Sequence, residues 1–128
     1  MSGHKPLVLV VDDDPLNAEI VRSSLEEHYQ VRCESDAEHA LAAAKTTPPD
    51  VILMDIMLPG MSGAEACRQL KSRACLEKKV PVVVMSSLEK EYALLYGGRV
   101  DCKDYVEKPL DAGQLLSTIR NALKDITS

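Results

Sequence analysis

Apolar runs with a strand's character and segments with a helical period take turns along the chain. Leu7 to Val11 (LVLVV) is apolar throughout and stops at three aspartates, the pattern of a strand buried on both faces. Pro15 then opens a helix at its first turn, and Ile20, Val21 and Leu25 line one side of it as far as about Tyr29. QVRCES, residues 30–35, alternates weakly and predicts a short strand. Ser35 or Asp36 caps a second helix, DAEHALAAAKT, which stops at Pro48-Pro49.

The second half repeats the alternation. VILMD, residues 51–55, predicts a third strand; Gly60 and Gly63 bracket a loop, and AEACRQLKSRA predicts a third helix. VPVVVMSS, residues 80–87, is again continuous and β-branched, and a shorter helix covers Leu88 to Tyr96. KDYVEK predicts a fifth strand, broken at Pro109. Asp111 caps a last helix whose buried stripe is Leu115, Leu116, Ile119 and Leu123. Apolar strands separated by helices imply a parallel sheet covered on both faces, so the expected fold is an open, doubly wound α/β sandwich of five strands.

Composition narrows the classes without changing this picture. With 128 residues, 45% hydrophobic and 27% charged, the expectation is one soluble domain over residues 1–128. No run is long enough for a membrane span and MSGHKP lacks a signal peptide's apolar core, which predicts a cytoplasmic protein without membrane contact. Net charge is −5 with no basic cluster, which argues against a nucleic-acid partner. Trp and Phe are absent and Tyr numbers four, which argues against an aromatic stacking surface for bases. Cys33, Cys67, Cys75 and Cys102 lie far apart, which favours reduced thiols over a zinc site or disulfides.

The chemistry gathers where such sheets bind ligands, outside the carboxyl ends of the strands. The first strand ends in Asp12, Asp13 and Asp14, the third in Asp55, the fourth in Ser86 and Ser87, and the fifth in Lys108. Several carboxylates side by side stay ionised only with a cation, and an all-oxygen donor set suits Mg²⁺. With Mg²⁺ and Lys108 beside it, Asp55 can remain a carboxylate and act as a nucleophile toward phosphorus.

VLVVDDDPLN, VILMDIMLPGMSG, VPVVVMSS and YVEKPL, in this order, make the chain resemble a receiver domain of two-component response regulators over essentially its whole length. The resemblance implies a flavodoxin-like (CheY-like) (βα)5 fold with Asp55 as phospho-acceptor and Asp12 and Asp13 as the magnesium-holding pair. It further implies that Met57 offers the metal a backbone carbonyl, that Ser86 is the switch hydroxyl and Tyr105 the switch aromatic, and that Lys108 pairs with the phosphoryl group. The donor would be a histidine kinase or phosphotransfer protein, and the output face would be the fourth helix, fifth strand and fifth helix. That face would be read by an effector, from a monomer or a phosphorylation-dependent dimer. The chain would catalyse only its own phosphorylation and dephosphorylation. It departs from the family's habit with Ser86 where threonine is usual, Ser87 where alanine is usual, and Asp101 where a glycine normally precedes the fifth strand.

Each residue also has a plainer reading. Three aspartates after a strand form turns and helix caps on their own account, and a lysine before proline is usually solvated. Tyr105 suits half-buried packing, and His4, His28 and His39 look exposed. Joint placement at four strand ends favours the chemistry. A pseudo-receiver that binds proteins without phosphorylation is the alternative. A phosphatase of this type would carry a second acid where Met57 stands, and a nucleotide-binding domain would carry a glycine-rich loop after the first strand.

Overall fold

The computed structural model describes residues 5–55, 57–58, 61–62, 80–86, 104–107 and 110–127. Strands β1 (Leu7–Val11), β2 (Gln30–Glu34), β3 (Val51–Asp55), β6 (Val82–Ser86) and β7 (Asp104–Glu107) form one parallel sheet in the order β2-β1-β3-β6-β7. Three helices are described: α1 (Pro15–Leu25), α2 (Ala37–Thr46) and α3 (Ala112–Thr127). The expected doubly wound sandwich is the fold found. The helices expected over residues 64–74 and 88–96 lie outside the described residues, as do Lys108 and three of the four cysteines.

Burial follows strand parity. Val8 and Val10 of β1, Val51 and Leu53 of β3, Val83 and Met85 of β6 and Val106 of β7 form one apolar cluster with Val21, Leu25, Tyr29, Leu115, Ile119 and Ala122. On that face α1 and α3 pack against each other. Residues of the other parity, Leu9, Val11, Ile52, Met54, Val82 and Val84, are buried as well, and α2 covers β1 and β2 with a surface of alanines and Leu41. Two-sided burial is what the continuous β-branched runs encode, at about 1.5–3 kcal/mol for each Val, Leu or Ile side chain fully removed from water.

Local chemistry sets the helix starts. Asp14 Oδ1 accepts the Leu16 N–H at 2.9 Å ahead of Pro15, Asp36 Oδ1 accepts the His39 N–H at 2.8 Å, and Asp111 Oδ2 accepts the Gln114 N–H at 2.8 Å. Between the two candidates before α2, Asp36 is therefore the cap.

Three details differ from the sequence reading. Helix α1 stops at Leu25 instead of continuing to Tyr29, because the Leu25 carbonyl accepts from both His28 N–H (3.0 Å) and Tyr29 N–H (2.9 Å). That tightened turn sends Tyr29 into the core and lets Gln30 N–H reach the Pro6 carbonyl at 2.9 Å. The loop expected after β3 contains an antiparallel ribbon, β4 (Met57–Leu58) with β5 (Met61–Ser62). On α3 the buried positions are Leu115, Thr118, Ile119 and Ala122, with Leu116 and Leu123 only partly covered.

Candidate functional site

Strands β1 and β3 are neighbours, but the chain leaves them in opposite directions, to β2 on one side and to β6 on the other. Crossovers that diverge in this way leave a crevice at the carboxyl ends of the two strands. The crevice receives Asp12 and Asp13, directly after β1, and Asp55, the last residue of β3. One carboxylate oxygen from each of the three lies within 4.8 Å of the others. Asp12 and Asp55 are 4% and 6% exposed, whereas Asp13 opens to solvent.

Backbone geometry fixes Asp12. Its N–H donates to the Glu34 carbonyl at 3.1 Å, which ties it to the end of β2. Its Oδ1 accepts the Asp14 N–H at 2.9 Å, and Oδ2 is closed off from solvent. Asp14 faces the other way and spends its carboxylate on the first turn of α1. The plain reading of the triplet as a turn and helix cap thus holds for Asp14, and the chemical one fits Asp12 and Asp13.

The other candidates are placed by their backbones. Asp55 stands in register with Met85, so Ser86 is one residue beyond it at the end of β6. Ser86 is in register with Glu107 at the end of β7, and Tyr105 with Val84. Met57 sits in the short ribbon two residues after Asp55, opposite Ser62. Lys108 follows β7 directly in sequence and is outside the described residues. Asp12, Asp13 and Asp55 are thereby brought together, and Ser86 joins them at the same sheet edge by strand register.

The donor set fits a small hard cation. Opposite ligands around Mg²⁺ lie about 4.2 Å apart, so a triangle of oxygens within 4.8 Å needs only small side-chain rotations, or a water in place of one direct bond. Two of the carboxylates are withdrawn from water, where three negative charges together are costly without a counter-ion. Asp12, Asp13 and Asp55 are the residues that would hold the ion.

Sequence reasoning missed one electrostatic feature of this edge. His39, expected to be merely exposed, places Nδ1 2.8 Å from both carboxylate oxygens of Asp36. Hydrogen bonds from His39 hold the Asp36 carboxyl below its usual range, and Asp36 in turn raises the imidazole. An acid three residues before a histidine at a helix start was the available signal. On the far side of β2, Cys33 is a half-buried free thiol, and burial pushes its pKa up against the opposing pull of Arg22.

Comparisons with known proteins agree with this arrangement. The family described as response regulator receiver domain matches residues 8–120. Protein PilH of Pseudomonas aeruginosa is 36% identical over 117 residues, 91% of this chain and 96% of that protein. Sensory transduction protein RegX3 of Mycolicibacterium smegmatis is 34% identical over 118 residues, but the chain spans only 50% of its length. The crystal structure of Vibrio cholerae chemotaxis protein CheY4 superimposes with a TM-score of 0.85 at 26% identity, covering 94% of this chain and 100% of that one. A five-stranded parallel sheet, an acidic triad at its switch point and a match over nearly the whole chain lead to one assignment: the chain belongs to the response regulator receiver domain family.

Proposed function

We propose that this chain is a phosphorylatable signalling switch in which Asp55 accepts a phosphoryl group from a histidine kinase or phosphotransfer protein. The observation that carries the reading is the buried Asp55 carboxylate held against Asp12 and Asp13, with their oxygens within 4.8 Å of one another. An Asp55 oxygen attacks phosphorus in line, a P–O bond forms, and the donor's N–P bond breaks with its electron pair returning to the imidazole. Magnesium, when bound, neutralises charge on the transferring phosphoryl oxygens. Asp12, Asp13 and Asp55 would hold that ion, with the Met57 carbonyl as a further oxygen donor. Burial of Asp55 limits the access of competing water.

In the same reading Lys108 pairs with the new acyl phosphate, and the Ser86 hydroxyl moves to hydrogen-bond it. Tyr105 follows the loop after β6. The face formed by the fourth helix, β7 and α3 then changes population, and a downstream effector reads that change. The protein acts on itself alone and turns over no external substrate, in the cytoplasm and without direct contact with nucleic acid or membrane. Among the described residues no helix is long and apolar enough to cross a membrane.

Intact-mass analysis after incubation with acetyl phosphate, with and without Mg²⁺, tests the proposal. Wild type gains one phosphoryl group only with Mg²⁺, and Asp55→Asn gains none. No gain in wild type, together with no response to beryllofluoride, would leave a phosphorylation-independent binding module.

A further inference from the structure

Strand β2 is the outermost strand of the sheet, and among the described residues only β1 pairs with it. Gln30 N–H reaches the Pro6 carbonyl and the Glu34 carbonyl takes the Asp12 N–H, so the backbones of residues 30, 32 and 34 turn toward β1. Those of Val31 and Cys33 turn outward, and Arg22 Nη1 meets the Val31 carbonyl on that side at 3.4 Å. A groove of about 490 Å³ runs along the edge, bounded by Arg22, Gln30, Val31, Arg32, Cys33 and Glu34.

We propose that this edge pairs antiparallel with β2 of a second copy of the same chain. The charges choose the register. A two-fold axis through Arg32 would set Arg32 opposite itself, a like-charge pair that opposes association. An axis through Cys33 sets Arg32 opposite Glu34 of the second copy, twice by symmetry. Arg32 and Glu34 already meet within one chain at 3.0 Å, so the paired strands carry a ring of four alternating charges. The parity also agrees. Cys33 faces outward, so the two Cys33 residues exchange both backbone hydrogen bonds, and Arg32 and Glu34 fall on the closer, non-hydrogen-bonded positions.

Edge strands usually resist such pairing through charge or a covering side chain. Here the charges are self-complementary. The covering Arg22 contact is long for a hydrogen bond, and the Val31 carbonyl has a second lone pair for an incoming N–H. Three opposed positions within β2, residues 32 to 34, make a small interface, so the association is weak and concentration-dependent.

Sedimentation equilibrium of unphosphorylated, Mg²⁺-free, reduced protein up to about millimolar concentration reads the equilibrium directly, independent of any role for Asp55. A monomer–dimer equilibrium is expected. Arg32→Glu places like charges opposite each other and weakens it about tenfold, and the double variant Arg32→Glu with Glu34→Arg restores it. Circular dichroism checks that each variant is folded. Mild oxidation followed by peptide mapping yields a Cys33–Cys33 link, since a separation of about 5.5 Å between opposed Cα atoms fits a disulfide. A monomer at every concentration, a dimer indifferent to Arg32→Glu, or no Cys33–Cys33 link among the cross-linked peptides would overturn the proposal.

Discussion

Two groups of aspartates occupy the carboxyl edge of this sheet and do opposite things. Asp14, Asp36 and Asp111 each turn a carboxylate onto backbone amides at the start of a helix. Asp12, Asp13 and Asp55 gather instead around a common centre, two of them buried. Residue type and sheet edge are the same in both groups, and Asp12 and Asp14 are only two positions apart. A helix amide discharges the need of one acid locally. Three acids facing one another concentrate negative charge that a bound cation relieves. The capping group serves the helix starts, whereas the clustered group presents oxygens that suit a cation.

The largest expected effect tests whether the clustered group acts as one site. Asp13→Asn and Asp12→Asn should each weaken Mg²⁺ binding by at least the roughly 10–100-fold seen when outer-shell partners of metal ligands are lost. Asp14→Asn, which keeps a capping oxygen, should leave affinity nearly unchanged. Calorimetric titration of the three variants gives the comparison. If Asp14→Asn were as damaging as Asp13→Asn, the division of the triplet would collapse.

Metal removal is the next largest. At a Mg²⁺ concentration about ten times the dissociation constant, ligand linkage adds roughly 1.4 kcal/mol to the folded state, so chelation should lower the melting temperature of wild type. Asp55→Asn removes one of three like charges and should be more stable than wild type in the metal-free state, with a smaller response to Mg²⁺. Equal melting shifts for both proteins would mean that Asp55 does not face the ion.

How much of this was legible in the sequence depended on how each feature is encoded. The β1, β3 and β6 runs announced themselves because two-sided burial demands unbroken apolar residues. The β4–β5 ribbon did not, since two paired positions per strand carry no period. The early end of α1 was equally hidden: Ile20, Val21 and Leu25 keep the helical spacing, and only the doubly used Leu25 carbonyl ends the helix. The site was legible as a convergence of acids at strand ends. Its division came only from the family resemblance, which singled out Asp12 and Asp13, because three consecutive aspartates are identical in spacing and differ in which way the backbone turns after Val11.

Smaller effects probe the capping group. Asp14→Ala and Asp111→Ala should each cost about 0.5–2 kcal/mol in chemical denaturation, the usual worth of a cap, with Asp14→Asn recovering most of its share. Neither should alter Mg²⁺ affinity by more than about threefold if the two groups are independent, because sites without shared partners add.

The smallest effect separates the groups by pH. Asp36 is lowered from its ordinary value of 3.8 by hydrogen bonds from His39, so its contribution is present above about 3.8 and fades as pH falls through the lower folded value. His39 is raised from 6.5 by Asp36, so its contribution is complete below about 6.5 and is lost as pH climbs through the higher folded value. Both operate together only between roughly those limits, which makes the start of α2 best held in mild acid. The melting-temperature difference between wild type and His39→Ala should therefore be largest near about pH 5 and shrink by about pH 8.5. Magnesium binding runs the other way, since it needs ionised carboxylates and weakens as pH falls. A difference that grew toward alkaline pH would mean that His39 serves α2 as a neutral side chain, and the Asp36 cap would then stand alone like those of α1 and α3.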